Sequence, residues 1–298
     1  YKRQLFRKGS EAANRTARVV HSENMRNMAL AGESEDQNAA SRRNVLARAL
    51  NGWYETRGAE LRDAKAPDWR YQPFLGHYQA LREFGQAVEQ RLATCMELPE
   101  ALQTLQLSNN GFAQQCRNLF DACQMPDILN FRVLSMNYGG WDTHDNESFE
   151  ISGNLADLFG TQGGFATTLP LLDQLAYLET PARQNLNFYF ASDFGRQLKA
   201  NGTAGTDHGR GTYSILTGGQ INGGVYGAMF PQAEAQPEGD GRIPLETQGA
   251  DIQGLTSTEK ILAAACEWAG EGSSEYVFPG ASTADIEMPG MLDSLFTA

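Results

Sequence analysis

The order in which apolar patterns change between residues 110 and 200 constrains this chain more than any other feature. Phe112, Cys116, Leu119, Phe120 and Cys123 follow the Ser108-Asn109-Asn110-Gly111 turn at steps of three and four, the spacing of one face of an α-helix. Near Pro126 that pattern ends, and Phe131-Arg132-Val133-Leu134-Ser135-Met136 follows as a short β-compatible run. It leads into Asn137-Tyr138-Gly139-Gly140-Trp141-Asp142-Thr143-His144-Asp145. The same order then repeats. Leu155–Glu179 is helical in character, with a break at Gly163-Gly164 and a restart at Pro170, and Leu186–Ala191 is a second strand running into Ser192-Asp193-Phe194-Gly195-Arg196. Helix, strand and polar Gly-rich loop in succession is the signature of βαβ units, so an α/β fold with a parallel sheet is expected. In open sheets of that kind ligands bind beyond the carboxyl ends of the strands, where both loops fall.

The flanking sequence is less regular. Residues 1–50 are rich in Arg, Ala, Asn and Ser and predict one or two exposed helices joined by a turn at Gly32–Ala39; His21, Met25 and Met28 there are surface and contact residues before they are metal ligands. Residues 51–80 mix Trp, Tyr, Phe and Pro as an aromatic loop packed over a core. Leu81, Phe84, Val88, Leu92 and Cys95 then form one helical stripe. The division is a helical and loop-rich segment, 1–104, and an α/β part, 105–298. Within the latter, Thr212–Leu216 and Val225–Phe230 predict paired strands, Gln232–Gly241 an acidic surface loop, and Thr256-Ser257-Thr258-Glu259 a capping box opening a helix through Trp268. In the tail, Val277-Phe278 and Met291–Phe296 are the expected anchors.

Composition narrows the function classes. With 41% hydrophobic and 20% charged residues, and no apolar run of about 18 residues, neither a disordered chain nor a membrane span is indicated. The formal charge of −12 argues against a general nucleic-acid binder. Charge is unevenly spread: residues 1–50 hold 10 Lys and Arg against 5 Asp and Glu, a balance of +5 that leaves −17 for the remainder. That basic segment suits either a solvated helical face or docking on an acidic surface. Cys95, Cys116, Cys123 and Cys266 lack metal-type or redox-type spacing, and Cys116 and Cys123 read as small core residues.

Asp142, His144, Asp193, Asp207 and His208 carry the chemistry. Only four His exist in the chain, and two of them stand beside Asp in Gly-flanked loops. Carboxylates and imidazoles with an open position are what a hydrolytic divalent metal requires, while the same residues can equally serve as turn and cap groups, Asp145 most simply so. Arg196 and Arg210, each close behind a site Asp, are candidate anion clamps, or else neutralise the neighbouring carboxylates. A Ser192-His208-Asp142 triad lacks the Gly-x-Ser-x-Gly elbow around its Ser.

The ordered series Gly139 to Asn146, Ser192 to Arg196, Asn201-Gly202 through Thr206-Asp207-His208-Gly209, Gly218-Gly219 and Gly224-Val225-Tyr226-Gly227 resembles the C-terminal half of bacterial proteins of domain of unknown function 1501, over roughly residues 105–270. That resemblance implies kinship with the alkaline phosphatase and sulfatase superfamily and a mostly parallel sheet flanked by helices, with a helical N-terminal part. It also implies export to the periplasm or beyond, and hydrolysis of phosphate or sulfate esters. Asp142, His144, Asp193 and His208, with Asp207 beside them, would be metal ligands for zinc, calcium or magnesium, and no organic cofactor is implied. Two departures stand out. Phe194 replaces the usual His after Asp193, which implies loss of one metal, and the chain carries no Gly-Gly-Asn-Asp-Ser-like nucleophile segment. The expectation is therefore a chain lacking the N-terminal half of the usual fold, incomplete or inactive alone. Another chain or an upstream segment would supply the missing half, and a homo-oligomer is a separate expectation; the alternative is a non-catalytic surface or assembly protein that keeps the fold.

Overall fold

The structure is a computed structural model that describes residues 2–7, 24–27, 49, 52–60, 80, 83–85, 87–88, 90–92, 94–95, 97–129, 133–175, 186–226, 236–243, 247, 256–279 and 295–296. The turn expected at Gly32–Ala39 and most of the aromatic stretch after residue 60 lie outside them. Two compact units are present, one of Tyr1–Val19, Pro99–Arg117 and Phe131–Ala298, the other of Val20–Leu98 and Asn118–Asn130.

The first unit is built on a four-stranded sheet of β1 (Lys2–Arg7), β2 (Val133–Asn137), β3 (Leu186–Phe190) and β6 (Ile215–Gly218) in the order β2-β1-β3-β6. A separate two-stranded ribbon pairs β4 (Gly195–Ala200) with β5 (Thr206–Gly209). Helix α1 (Asn110–Cys123) as far as Arg117, and helices α2 (Glu147–Phe159), α3 (Gly164–Leu172) and α4 (Thr258–Ala269), accompany them. The expected mixture of helices and strands is therefore correct. The mostly parallel sheet is not what these residues form: β1 pairs antiparallel with both β2 and β3, and β3 pairs antiparallel with β6. β2 and β3 do run in the same direction, with α2 and α3 between them in sequence, as a βαβ unit requires. A strand from the N-terminus is inserted between them, Leu5 lying opposite Leu134 on one side and Phe188 on the other.

That insertion overturns the helical reading of residues 2–7, whose Lys-Arg-Gln-Leu-Phe-Arg sequence has two apolar positions and no alternation over a useful length. Other elements sit close to expectation. α1 and β3 coincide with their apolar runs, and the break at residues 160–163 separates α2 from α3, although Pro170 lies inside α3 rather than at its start. Of the strand expected at Thr212–Leu216 only Ile215 and Leu216 lie in β6, which pairs with β3; Val225 and Tyr226 are not in a strand, and 227–230 lie outside the described residues. α4 is capped by Ser257, whose side chain accepts from Lys260 N at 3.3 Å, one residue later than the Thr256-x-x-Glu259 box.

β3 is buried at all five positions because both of its faces are covered. On one face Phe188 and Phe190 meet Phe165 of α3 edge-on at centroid distances of 5.4 and 5.3 Å, and Phe165 in turn meets Phe112 of α1 at 5.5 Å. On the other, Tyr189 packs with Ala265 of α4 among Leu216, Ile261, Leu262, Trp268 and Phe296. Tail anchoring near Phe296 is as expected: Leu295 is buried and Phe296 bridges Ile221.

In the second unit, residues 52–60 are helical where an aromatic loop is the sequence reading. Met25 lies buried in a short 3₁₀ turn, its N–H donating to Asn118 Oδ1 at 3.1 Å. Next to it Arg26 grips the buried Asp121 with two parallel bonds of 2.8 and 2.7 Å. None of the four cysteines is in a disulfide among the described residues, and Cys116 and Cys123 are buried as expected. Among the described residues no helix is long and apolar enough to cross a membrane.

Candidate metal centre

Two segments of the first unit make the site. The first leaves β2 as Tyr138–Asn146 and ends where α2 begins. It is held down by Tyr138, whose hydroxyl donates to Asp157 Oδ2 at 2.9 Å and whose ring meets Phe112 at 5.3 Å, and by Asn154, which donates to the Gly140 carbonyl at 2.5 Å. The second is the β4–β5 ribbon with its 201–205 turn, where Gly202 adopts φ +95°.

The turn is bonded to the loop. Asn201 Nδ2 and Thr203 Oγ1 donate to the His144 carbonyl at 3.0 and 2.7 Å, and Glu147 N donates to the Ala204 carbonyl at 3.0 Å. The approach is close enough that only a hydrogen fits at Gly205, where a Cβ would overlap the His144 carbonyl. In the ribbon Arg196 lies directly opposite His208. Residues opposite each other in an antiparallel pair project to the same face, so guanidinium and imidazole emerge together toward the loop.

Three side chains converge there. His208 Nε2 lies 2.6 Å from Asp142 Oδ1, His144 Nε2 lies 2.9 Å from the same oxygen, and the two Nε2 atoms are 3.2 Å apart. All three are at the surface, with side-chain exposures of 45% for His144, 60% for Asp142 and 49% for His208. Among the described residues this is the group of His, Cys, Asp and Glu whose ligand atoms gather closely enough to hold an ion. The His208 contact, assisted by His144 and Arg196, holds the Asp142 carboxyl below its usual range. Phe194 stacks on the His208 ring at 3.9 Å and fixes its plane.

The remaining candidates are placed differently. Asp207 stands behind the cluster, its Oδ1 3.6 Å from His144 Nδ1 and accepting from Asn201 Nδ2 at 3.3 Å. Asp193 is exposed in the turn before β4 and is not a member of the group. Arg196 is engaged by protein groups, with Nη1 3.3 Å from Asp142 Oδ1 and Nε donating to Thr206 Oγ1 at 3.0 Å. Arg210 is exposed just past β5, and Asp145 is exposed beside His144. The Ser192 triad does not assemble: its hydroxyl donates to the Phe194 carbonyl and pairs with Thr212, both at 2.9 Å. Glu147 is a site neighbour that the sequence motifs do not reveal. Glu147 accepts from Thr206 Oγ1 at 2.7 Å, and its only local signal is a place in the first turn of a helix that follows an acidic loop.

Fold and site together define a mixed α/β protein that presents an Asp-His-His cluster where a strand-to-helix loop meets a β-ribbon. The chain belongs to the family described as "Protein of unknown function (DUF1501)", whose model matches residues 7–239. The match thus begins in β1 and spans the first hundred residues, further toward the N-terminus than the motifs at 105–270 indicate. No curated protein and no solved structure matches.

Proposed function

We propose that this protein binds a divalent metal of the zinc class through Asp142, His144 and His208 and is a hydrolase of phosphate or sulfate esters. The observation that supports it most is the convergence of three ligand atoms from segments 64 and 66 residues apart onto mutual distances of 2.6 to 3.2 Å. Ligands at about 2.0–2.1 Å around a tetrahedral ion stand roughly 3.3 Å apart, so the donor set is close to the right size.

The surroundings of His144 suit ligation through Nε2. An imidazole that binds a metal through Nε2 carries its proton on Nδ1, and His144 Nδ1 faces the Asp207 carboxylate 3.6 Å away. Two imidazoles with one carboxylate suit zinc better than calcium or magnesium, which prefer oxygen. Three protein ligands leave a coordination position open, and a metal so held supplies Lewis-acid polarisation of an ester oxygen. Asp142, in its ionised form, provides the negative charge that retains the ion.

Kinship with the alkaline phosphatase and sulfatase superfamily, and export, belong to this proposal and rest on the order of the motifs. A second reading, a non-catalytic surface or assembly protein that keeps the fold, draws on the exposure of all three ligands, because a hydrolytic centre works best where water is excluded. Metal analysis of the purified protein, followed by assays with nitrophenyl phosphate and sulfate, separates them. Stoichiometric zinc with ester cleavage abolished by the D142A/H208A pair is expected; zinc without cleavage, or no divalent ion at all, overturns the hydrolase reading and leaves the second.

A further inference from the structure

We propose that Arg196 is the positioning residue of this site, a latch that joins the loop carrying Asp142 and His144 to the strand carrying His208. The inference rests on the metal reading above and goes beyond it by assigning a side chain that touches no ion. Arg196 is only 18% exposed. Its Nε donates to Thr206 Oγ1 at 3.0 Å, one Nη donates to the carbonyls of Thr206 and Thr143, and the other lies 3.3 Å from Asp142 Oδ1. Four of the five guanidinium N–H donors are thereby taken, which leaves little with which to clamp a substrate anion.

The acceptors fall on both halves of the site. Thr143 lies between two of the proposed ligands, and its carbonyl is fixed by the same Nη that holds the Thr206 carbonyl two residues before His208. Asp142 Oδ1, the oxygen facing both imidazoles, is the one Arg196 approaches. Glu147, 3.7 Å from Nε and bonded to Thr206, balances the charge. A planar fork can serve these directions at once, and a lysine ammonium cannot. The cross-strand pairing with His208 places the fork at the seam.

Zinc affinity by competition with a chromophoric chelator, and the visible spectrum of the cobalt-loaded protein, test this in the full chain. Arg196→Met should weaken zinc binding by about 10- to 100-fold, as loss of an outer-sphere partner does, and alter the cobalt spectrum; Arg196→Lys should recover only part. Thr206→Val, which removes the hydroxyl between Arg196 and Glu147 without touching a proposed ligand, should move both readouts the same way to a smaller extent, and it decides the matter if R196M does not fold. A purely structural role lowers the melting temperature but leaves affinity and spectrum of the folded protein unchanged, and that result in both variants overturns the assignment. Failure of the native protein to take up zinc or cobalt instead sinks the metal reading, and this inference with it.

Discussion

Replacing Gly205 by Ala probes the join between loop and ribbon with one methyl group. A Cβ at this position would overlap the His144 carbonyl and stand 2.9 Å from Asp145 N, where ordinary contacts need about 3.5–4 Å. The neighbours are backbone, which cannot swing aside as a side chain can, so the loop must retreat by roughly 1 Å. Retreat stretches the two bonds to the His144 carbonyl and the one from Glu147 N. Overpacking of this kind costs about 1–3 kcal/mol, a melting temperature lowered by roughly 2–12 °C in a chain of this size. Metal binding should suffer more, because ligand distances tolerate only about 0.2 Å. Calorimetry and zinc titration of G205A measure both, with G223A as control, since no described residue lies within 4 Å of a Cβ there. Native melting and native zinc affinity in G205A would refute the placement of the turn against His144.

Three other expectations follow from the core and the carboxylate. Gly164→Ala puts a Cβ 2.7 Å from Phe112 Cε1 and 2.8 Å from Cys116 Sγ, and should cost about 1–3 kcal/mol in denaturant unfolding while leaving metal uptake intact. Burial pushes the Cys116 thiol up to about 12, so its contribution to stability is complete below the ordinary thiol value of 9.0 and is lost as pH rises toward 12. Peptide mapping should find Cys116 unalkylated at neutral pH until the protein unfolds, and Cys116→Ala should blunt the alkaline limb of the unfolding curve. Asp142 has the opposite sign. Its depressed carboxyl contributes fully above the ordinary value of 3.8 and loses that contribution as pH falls through the folded-state value, so D142N should flatten the acid limb monitored by circular dichroism.

Local pattern carried much of this protein. The stripe from Phe112 to Cys123 places its residues on one face by helical geometry alone, and the apolar run at Leu186–Phe190 has no polar position that solvent could claim except Asn187, itself buried. Asp142, His144 and His208 were legible because imidazoles beside carboxylates in Gly-flanked loops are scarce in a chain with four His.

Tertiary structure decided the rest, for reasons that no window of sequence contains. Strand direction is a property of a pair: β2 and β3 are parallel to each other, and the arrival of β1 from more than a hundred residues away turns the contact between them into two antiparallel joins. Ligand membership is a matter of distance in space. Asp193 and Asp207 have equal local credentials, yet one stays in the solvent-exposed turn and the other stands behind His144. Arg196 could have been a clamp or a brace by charge alone, and its cross-strand place opposite His208 turns its donors inward. Residue chemistry is written along the chain, whereas partnership is settled by which distant segments share a face.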